Sequence, residues 1–243
     1  MPEGPSILIL KESVQQFERH KVVSVSGNTA MDFDRIQGQK LIEFRTWGKN
    51  FLMLFDGFTI KIHLLMFGTY LINERKALAP RLSLEFDNGE LNFYTCSVKL
   101  LDGNVNDHYD WTADVMNEKW NSESAKKKLQ DIPNKMISDA LLEQDIFSGV
   151  GNIIKNEVLY RVKVHPESLV GKIPLQKIAE IMDEAVIYSF QFLEWKKQDV
   201  LKKHWLAHSK SRCTRCDLPL IKKYTGIKKR QSYFCTNCQK LYV

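Results

Sequence analysis

Residues 213–238 read CTRCDLPLIKKYTGIKKRQSYFCTNC, and this stretch decides how the chain is organised. Cys213, Cys216, Cys235 and Cys238 form two CxxC pairs separated by 18 residues. Zinc takes four thiolates as a tetrahedron, and two CxxC knuckles deliver them from two turns. Two disulfides are the alternative. The spacing favours one structural zinc per chain, with every position filled and none open for chemistry. Between the knuckles lie Lys222, Lys223, Lys228, Lys229 and Arg230. The metal would thus rigidify a basic β-hairpin able to enter a groove or clamp a phosphate backbone. A ribbon serving only stability or protein contacts is the rival. The fifth cysteine, Cys96, sits in a strand-like run and reads as a small buried hydrophobe.

Outward from the hairpin, the charge distribution is lopsided. The chain of 243 residues carries a net charge of +6, yet residues 196–243 hold 13 Lys/Arg against 2 Asp/Glu. The rest holds 22 basic and 27 acidic residues. A concentrated basic tail is the footprint of a phosphate-backbone binder, against the alternative of a solvated lysine surface. Hydrophobic residues make up 44%, which indicates a globular chain rather than a disordered one. Apolar stretches such as FLMLF and IHLLMF are too short to span a bilayer. The start MPEGPS has neither a basic nor an apolar leader region, so the expected location is cytoplasmic.

Upstream of the hairpin, residues 116–205 carry apolar residues at three- and four-residue spacing. SESAKKKLQDI, NKMISDALLEQDI, GNIIKNEVLYRV and PLQKIAEIMDEAVIYSFQFLEWKKQ read as helices, the last with Pro174 at its first turn. Further upstream the period changes to two. KVVSVSG (21–27), KLIEFRTW and NFLMLF flanking Gly48–Lys49, and RLSLEFDNGELNFYT around Asn88–Gly89 predict an antiparallel sandwich or barrel over residues 21–102. A short helix is expected over residues 7–19, on Ile7, Leu8, Leu10, Val14 and Phe17. The fold class is α+β, in three parts: 1–115, 116–205 and 206–243.

Three further motifs carry chemistry. Removal of Met1 would leave Pro2 with a free secondary amine. Such an amine attacking a sugar aldehyde carbon forms an iminium, cationic at any pH, which acidifies the adjacent proton and permits elimination. Glu3, next along, could protonate the sugar ring oxygen. In Trp47-Gly48-Lys49-Asn50, Lys49 at a hairpin tip could meet a phosphate, although most tip lysines are simply solvated. In FSGVGNIIKNEVLY, Gly149 and Gly151 allow close backbone approach, and Asn152 opens a helix whose free N–H groups attract phosphate. A plain helix–turn–helix corner is the alternative.

Taken together, MPEGP, Gly48–Lys49, SGVGN, His165–Pro166 and RQSYFCTNCQK resemble the formamidopyrimidine-DNA glycosylase/endonuclease VIII family of bacterial DNA glycosylases and abasic-site lyases, along the whole chain and in the same order. The resemblance implies an N-terminal antiparallel β-sandwich, a helix–two-turn–helix domain and a C-terminal zinc-finger β-hairpin. It implies a monomer acting on double-stranded DNA with damaged bases or abasic sites, with no membrane association, near the nucleoid. Pro2 matches the nucleophile, Glu3 the catalytic acid and Lys49 the hairpin lysine. Asn152 and Arg230 match residues contacting one phosphate region, and Met66 the methionine that fills the void left by an extruded base. Ser6 stands where the family usually has a second glutamate. Residues 96–101, CSVKLL, stand where the formamidopyrimidine branch has its wedge loop DPRRFG, and a wedge on Leu100 with Lys99 is the expectation. The PEGP start and the short Trp195–Cys213 segment are closer to the endonuclease VIII branch and imply a preference for oxidised pyrimidines. A non-catalytic nucleic-acid-binding zinc-ribbon protein, or an inactive paralogue, is the alternative from another class.

Overall fold

The computed structural model describes residues 2–243. Met1, whose removal the sequence reading expects, lies outside the described residues. Contacts divide the chain into two units, one ending at Tyr109 and the other spanning Asp110–Val243.

The first unit opens with helix α1 (Gly4–Ser13), which starts three residues earlier than the apolar stripe predicts. Pro5 occupies the first helical turn, where its missing N–H costs nothing. Four of the five stripe residues, Ile7, Leu10, Val14 and Phe17, are fully buried, whereas Leu8 is only partly buried. Eight strands follow: β1 (Val22–Ser26), β2 (Glu43–Trp47), β3 (Asn50–Phe55), β4 (Phe58–His63), β5 (Thr69–Ile72), β6 (Leu82–Phe86), β7 (Gly89–Tyr94) and β8 (Ser97–Asp102). They form two antiparallel sheets, ordered β1-β6-β7-β5 and β2-β3-β4-β8. The inward residues of both sheets and of α1 share one core, including Phe44, Phe51, Ile60, Leu84 and Phe93. This is the expected β-sandwich. Trp47 pairs with Asn50 across the two-residue turn Gly48–Lys49, as expected. In the other hairpin Phe86 pairs with Gly89, so the turn is Asp87–Asn88, one residue earlier than expected.

One expectation fails here. Residues 97–102 are a strand, not a wedge loop, and β8 pairs with β4 along its whole length. Val98 and Leu100 pack against the sandwich core, so Leu100 is spent on packing. Alternation explains it, because the residues that face the core in SVKLLD are Val98 and Leu100.

The second unit contains α2 (Ser122–Gln130), α3 (Ile137–Ala140), α4 (Asn152–Arg161), α5 (Leu175–Lys197) and the hairpin β9 (Ile221–Thr225) with β10 (Arg230–Phe234). Asn121 caps α2 by accepting the Ser124 N–H at 3.0 Å. The predicted NKMISDALLEQDI helix shrinks to the single turn α3, followed by tight turns up to Gly151. Leu129, Ile137, Phe147, Ile154, Val158, Tyr188 and Phe192 lie in one helical core. Among the described residues no helix is long and apolar enough to cross a membrane.

Candidate active site and metal centre

In the first unit, Pro2 is partly exposed, and Glu3 is the residue from which α1 starts. The Glu3 carbonyl accepts the Ser6 N–H at 2.8 Å, and its side chain is buried. The helix N-terminus beside it favours negative charge. A carboxylate withdrawn from water beside a partly accessible proline suits proton transfer better than solubility. α1 packs against β2 and β3, the hairpin that carries Lys49. Lys49 is partly buried, unlike an ordinary tip lysine, and Gly48 takes the left-handed conformation with φ +54. The turn is braced by Asn50 Nδ2 donating to the Trp47 carbonyl at 3.2 Å, and by Trp47 against Tyr109 at 4.9 Å.

Opposite Asn50 lies His63. Its ring is pushed towards the neutral form by burial first, then by the charges of Lys49 and Lys61. Nδ1 accepts the Leu65 N–H at 3.1 Å, which leaves the ring proton on Nε2. Lys61 is likewise pushed down, by burial and then by Lys99, its direct partner across β4–β8. Met66 sits 54% exposed on the turn after β4.

In the second unit, Asn152 opens α4 after Gly151, and the structure brings it together with the start of β10. The Gln231 carbonyl accepts from Asn152 Nδ2 at 3.0 Å, Asn156 Nδ2 at 3.2 Å and Lys155 Nζ at 3.3 Å. Arg230, next along, is thereby held at the head of α4. Asn152 is buried, and its Oδ1 has no partner among the described residues.

Sequence reasoning missed what holds this arrangement. Lys155, Asn156 and Glu157 are buried in mid-helix. Lys155 Nζ donates to Ser232 Oγ at 2.8 Å. The Glu157 carboxylate accepts the N–H groups of Leu206, Ala207 and His208 at 2.9, 2.9 and 2.7 Å, fixing the path into the hairpin. Burial nevertheless pushes Glu157 up, towards protonation, against those three donors. His208, whose Nδ1 lies 3.2 Å from Asn156 Nδ2, is pushed down to about 4 by burial and the nearby Lys155. The signal was the run KNE inside an otherwise apolar helix, because buried polar residues need partners.

The four sulfurs of Cys213, Cys216, Cys235 and Cys238 lie within 4.8 Å of one another, with neighbouring pairs at 3.5, 3.6 and 3.7 Å. A tetrahedron with metal–sulfur bonds of about 2.3 Å has sulfurs about 3.8 Å apart, so the residues fit a thiolate-bound divalent ion. The Tyr160 hydroxyl lies 3.1 Å from Cys213 Sγ, and Arg215 donates to the Tyr160 carbonyl at 2.8 Å. These contacts tie the metal knuckle to α4.

The basic hairpin tip is less free than its sequence suggests. The buried Asp139 carboxylate of α3 accepts the N–H groups of Ile227 and Lys228 at 2.7 and 3.3 Å. Lys228 pairs with Glu143 at 3.1 Å and Lys223 with Glu167 at 2.7 Å. The tip is latched to the helices, and two of its five cations are neutralised there. Cys96 is buried as expected, its thiol pushed up to about 11 by burial.

Comparison with known proteins gives a consistent picture. The model of the formamidopyrimidine-DNA glycosylase N-terminal domain matches residues 1–97, and that of its H2TH domain matches residues 112–193. Endonuclease 8-like 3 of Mus musculus is 28% identical over 204 residues, covering 80% of this chain and 34% of that protein. Endonuclease 8-like 2 of Homo sapiens is 32% identical over 165 residues, covering 66% of this chain and 48% of that protein. The formamidopyrimidine-DNA glycosylase of Mycoplasmopsis pulmonis is 27% identical, covering 99% and 98%. The chain thus spans about a third of the length of the endonuclease 8-like 3 proteins it matches. Among solved structures, a viral DNA glycosylase superposes with a TM-score of 0.86 at 21% identity, covering 98% of this chain and all of the other. Lactococcus lactis formamidopyrimidine-DNA glycosylase bound to abasic-site DNA gives 0.85 at 20%, covering 98% and 99%. Those two likenesses show the fold. With both domain models in place and relatives of both names matching, the chain belongs to the formamidopyrimidine-DNA glycosylase/endonuclease VIII family.

Proposed function

We propose that the chain is a bifunctional DNA glycosylase and abasic-site lyase of base excision repair, with the Pro2 secondary amine as nucleophile. The observation that carries this reading is Glu3, a buried carboxylate immediately after Pro2 at the head of α1. The target nucleotide leaves the stack, because its sugar carbon is out of reach inside the duplex. The Pro2 nitrogen bonds to C1′, the base departs with the C1′–N electron pair, and the proton released from the Pro2 nitrogen is taken up by the departing base. Glu3 protonates O4′ as the sugar ring opens, and the nitrogen lone pair completes a cationic iminium. The iminium withdraws electrons from C2′, which loses a proton, and the 3′ phosphate leaves by β-elimination. A second, δ-elimination releases the 5′ phosphate, and water frees Pro2 from the sugar remnant. Lys49, Asn152 and Arg230 are assigned to DNA phosphates, and Met66 to the space the flipped nucleotide vacates.

Zinc is the metal proposed for the four cysteines, one per chain. With four protein ligands it fixes the hairpin and supplies no reactive water. The partner is double-stranded DNA bearing damaged bases or abasic sites, met by a monomer in the nucleoid-containing cytoplasm.

Oxidised pyrimidines are the proposed substrates ahead of 8-oxoguanine. The segment between α5 and Cys213 is short and tied by Glu157 at Leu206–His208, which leaves no long loop to cover a flipped purine. An uncovered purine keeps unmatched polar edges, and discrimination falls. Single-turnover cleavage of duplexes carrying thymine glycol, dihydrouracil or 8-oxoguanine tests this. Faster cleavage of the two pyrimidines is expected, and fastest cleavage of 8-oxoguanine opposite cytosine would overturn the preference.

A further inference from the structure

The hairpin β9–β10 is a two-stranded sheet, and its two outer edges differ. On β10, the Gln231 carbonyl accepts from Asn152 and Asn156, and the Tyr233 N–H donates to Asn156 Oδ1 at 3.3 Å. Gln231 and Tyr233 therefore turn their main-chain groups away from β9. In an antiparallel pair, the residues opposite such positions turn theirs outward as well. Gln231 lies opposite Tyr224, and Tyr233 opposite Lys222. Lys222 and Tyr224 thus present two N–H donors and two carbonyl acceptors at the free edge of β9. Among the described residues no main-chain bond from outside the hairpin reaches them.

That edge is held at both ends. The cysteine pairs close its base, and at the tip Asp139 accepts the N–H groups of Ile227 and Lys228. Ile221, Lys222, Lys223 and Tyr224 are all exposed, Tyr224 at 67%. Lysine on an edge strand deters pairing with strands of like charge. It also selects for acidic ones. Lys223 already holds Glu167 at 2.7 Å, while among the described residues Lys222 has no carboxylate within ion-pair distance. A second copy of this chain would bring Lys222 and Lys223 against the same two residues, which destabilises a sheet. A phosphodiester backbone has only acceptors, so it cannot serve the carbonyls of Lys222 and Tyr224. A peptide main chain offers donors and acceptors in the alternation this edge requires.

We propose that the free edge of β9 docks an extended acidic segment of a partner protein, added as a third strand. Its main chain bonds to Lys222 and Tyr224, and its carboxylates lie beside Lys222. This surface does not depend on the glycosylase reading.

The test uses the full chain loaded with zinc and a fluorescein-labelled peptide of about seven residues alternating glutamate with valine, read by anisotropy. Saturable binding is expected. At about ten times its Kd the peptide should slow hydrogen exchange of the Lys222 and Tyr224 amides about tenfold. The same peptide methylated at every amide nitrogen keeps its charge, lacks the donors and should not bind. Lys222→Glu exchanges an attraction for a repulsion and should weaken binding roughly 2- to 30-fold. Tyr224→Pro removes an outward N–H without cost to the β10 ladder and should weaken it at least about threefold. The methylated peptide tests the same bonds on the wild-type chain, whatever Tyr224→Pro does to folding. Absence of saturable binding, equal binding of the methylated peptide, or unchanged affinity in Lys222→Glu would overturn the proposal. Protection of the Lys222 and Tyr224 amides by an abasic-site duplex and not by the peptide would overturn it too, assigning the edge to DNA.

Discussion

Replacing Gly226 with alanine should unlatch the metal hairpin from the helices. Gly226 sits at φ +69, and a Cβ there would lie inside contact distance of both Asp139 carboxylate oxygens. The left-handed backbone costs alanine about 1–2 kcal/mol. Withdrawal of Asp139 forfeits its bonds from Ile227 N–H at 2.7 Å and Lys228 N–H at 3.3 Å. A bond to a charged acceptor contributes about 1.5–3 kcal/mol, and the longer one counts for less, so roughly 2–3 kcal/mol is lost beyond the backbone strain. Gly57→Ala is the control, with φ +74 and nothing within 4 Å of the added Cβ. Hydrogen exchange over residues 221–234 should accelerate at least about 30-fold in Gly226→Ala, with no change there in Gly57→Ala. DNA affinity should fall with the latch, because Arg230 lies four residues beyond Gly226. If Gly226→Ala exchanged like wild type across the hairpin, the latch would not exist and the case for a pre-set Arg230 would fail.

Three other outcomes are expected. Glu3→Gln should bind damaged duplex within about threefold of wild type while base release falls at least about 100-fold, the scale of general acid catalysis; single-turnover assays that find normal release would make Glu3 dispensable. Chelation of the metal should lower the melting of the second unit and weaken DNA binding while leaving the β-sandwich intact, because the knuckle is tied to Tyr160 of α4 within that unit; a calorimetric trace in which the sandwich melts first would contradict this. His208 is pushed down to about 4, so between its ordinary value near 6.5 and that point the unfolded chain binds a proton the folded chain refuses. Stability should therefore be complete above about pH 6.5 and decline as pH falls towards 4, by about 1–2 kcal/mol after allowance for the partly exposed ring. Urea midpoints for wild type and His208→Gln that fall in parallel would remove His208 as the cause.

The elements legible in sequence were those whose patterns are local. The Trp47–Asn50 turn, the alternation in LSLEF and the CxxC spacing each fix a structure within a few residues, and all three appear as expected. What was hidden depended on distant partners. Lys228 looks like a free cation until α3 supplies Asp139 and Glu143. SVKLLD looked like a loop by its place in the family pattern, yet its own period-two alternation marked a core-facing strand. In NKMISDALLEQDI the helical period continues past Ala140 while the backbone turns away, because the chain must return to the head of α4. Of the site, Asn152 and Arg230 were found as separate motifs, and only folding shows that the Gln231 carbonyl joins them.

The central claim is that the nucleophile is the amine of Pro2. Incubation with abasic-site duplex in the presence of borohydride, then proteolysis and mass spectrometry of the cross-linked peptide, tests it most directly. The account predicts a reduced covalent adduct on the N-terminal peptide, at Pro2 with Met1 removed. An adduct on a lysine such as Lys49 or Lys155, or strand cleavage with no trapped adduct, would contradict it.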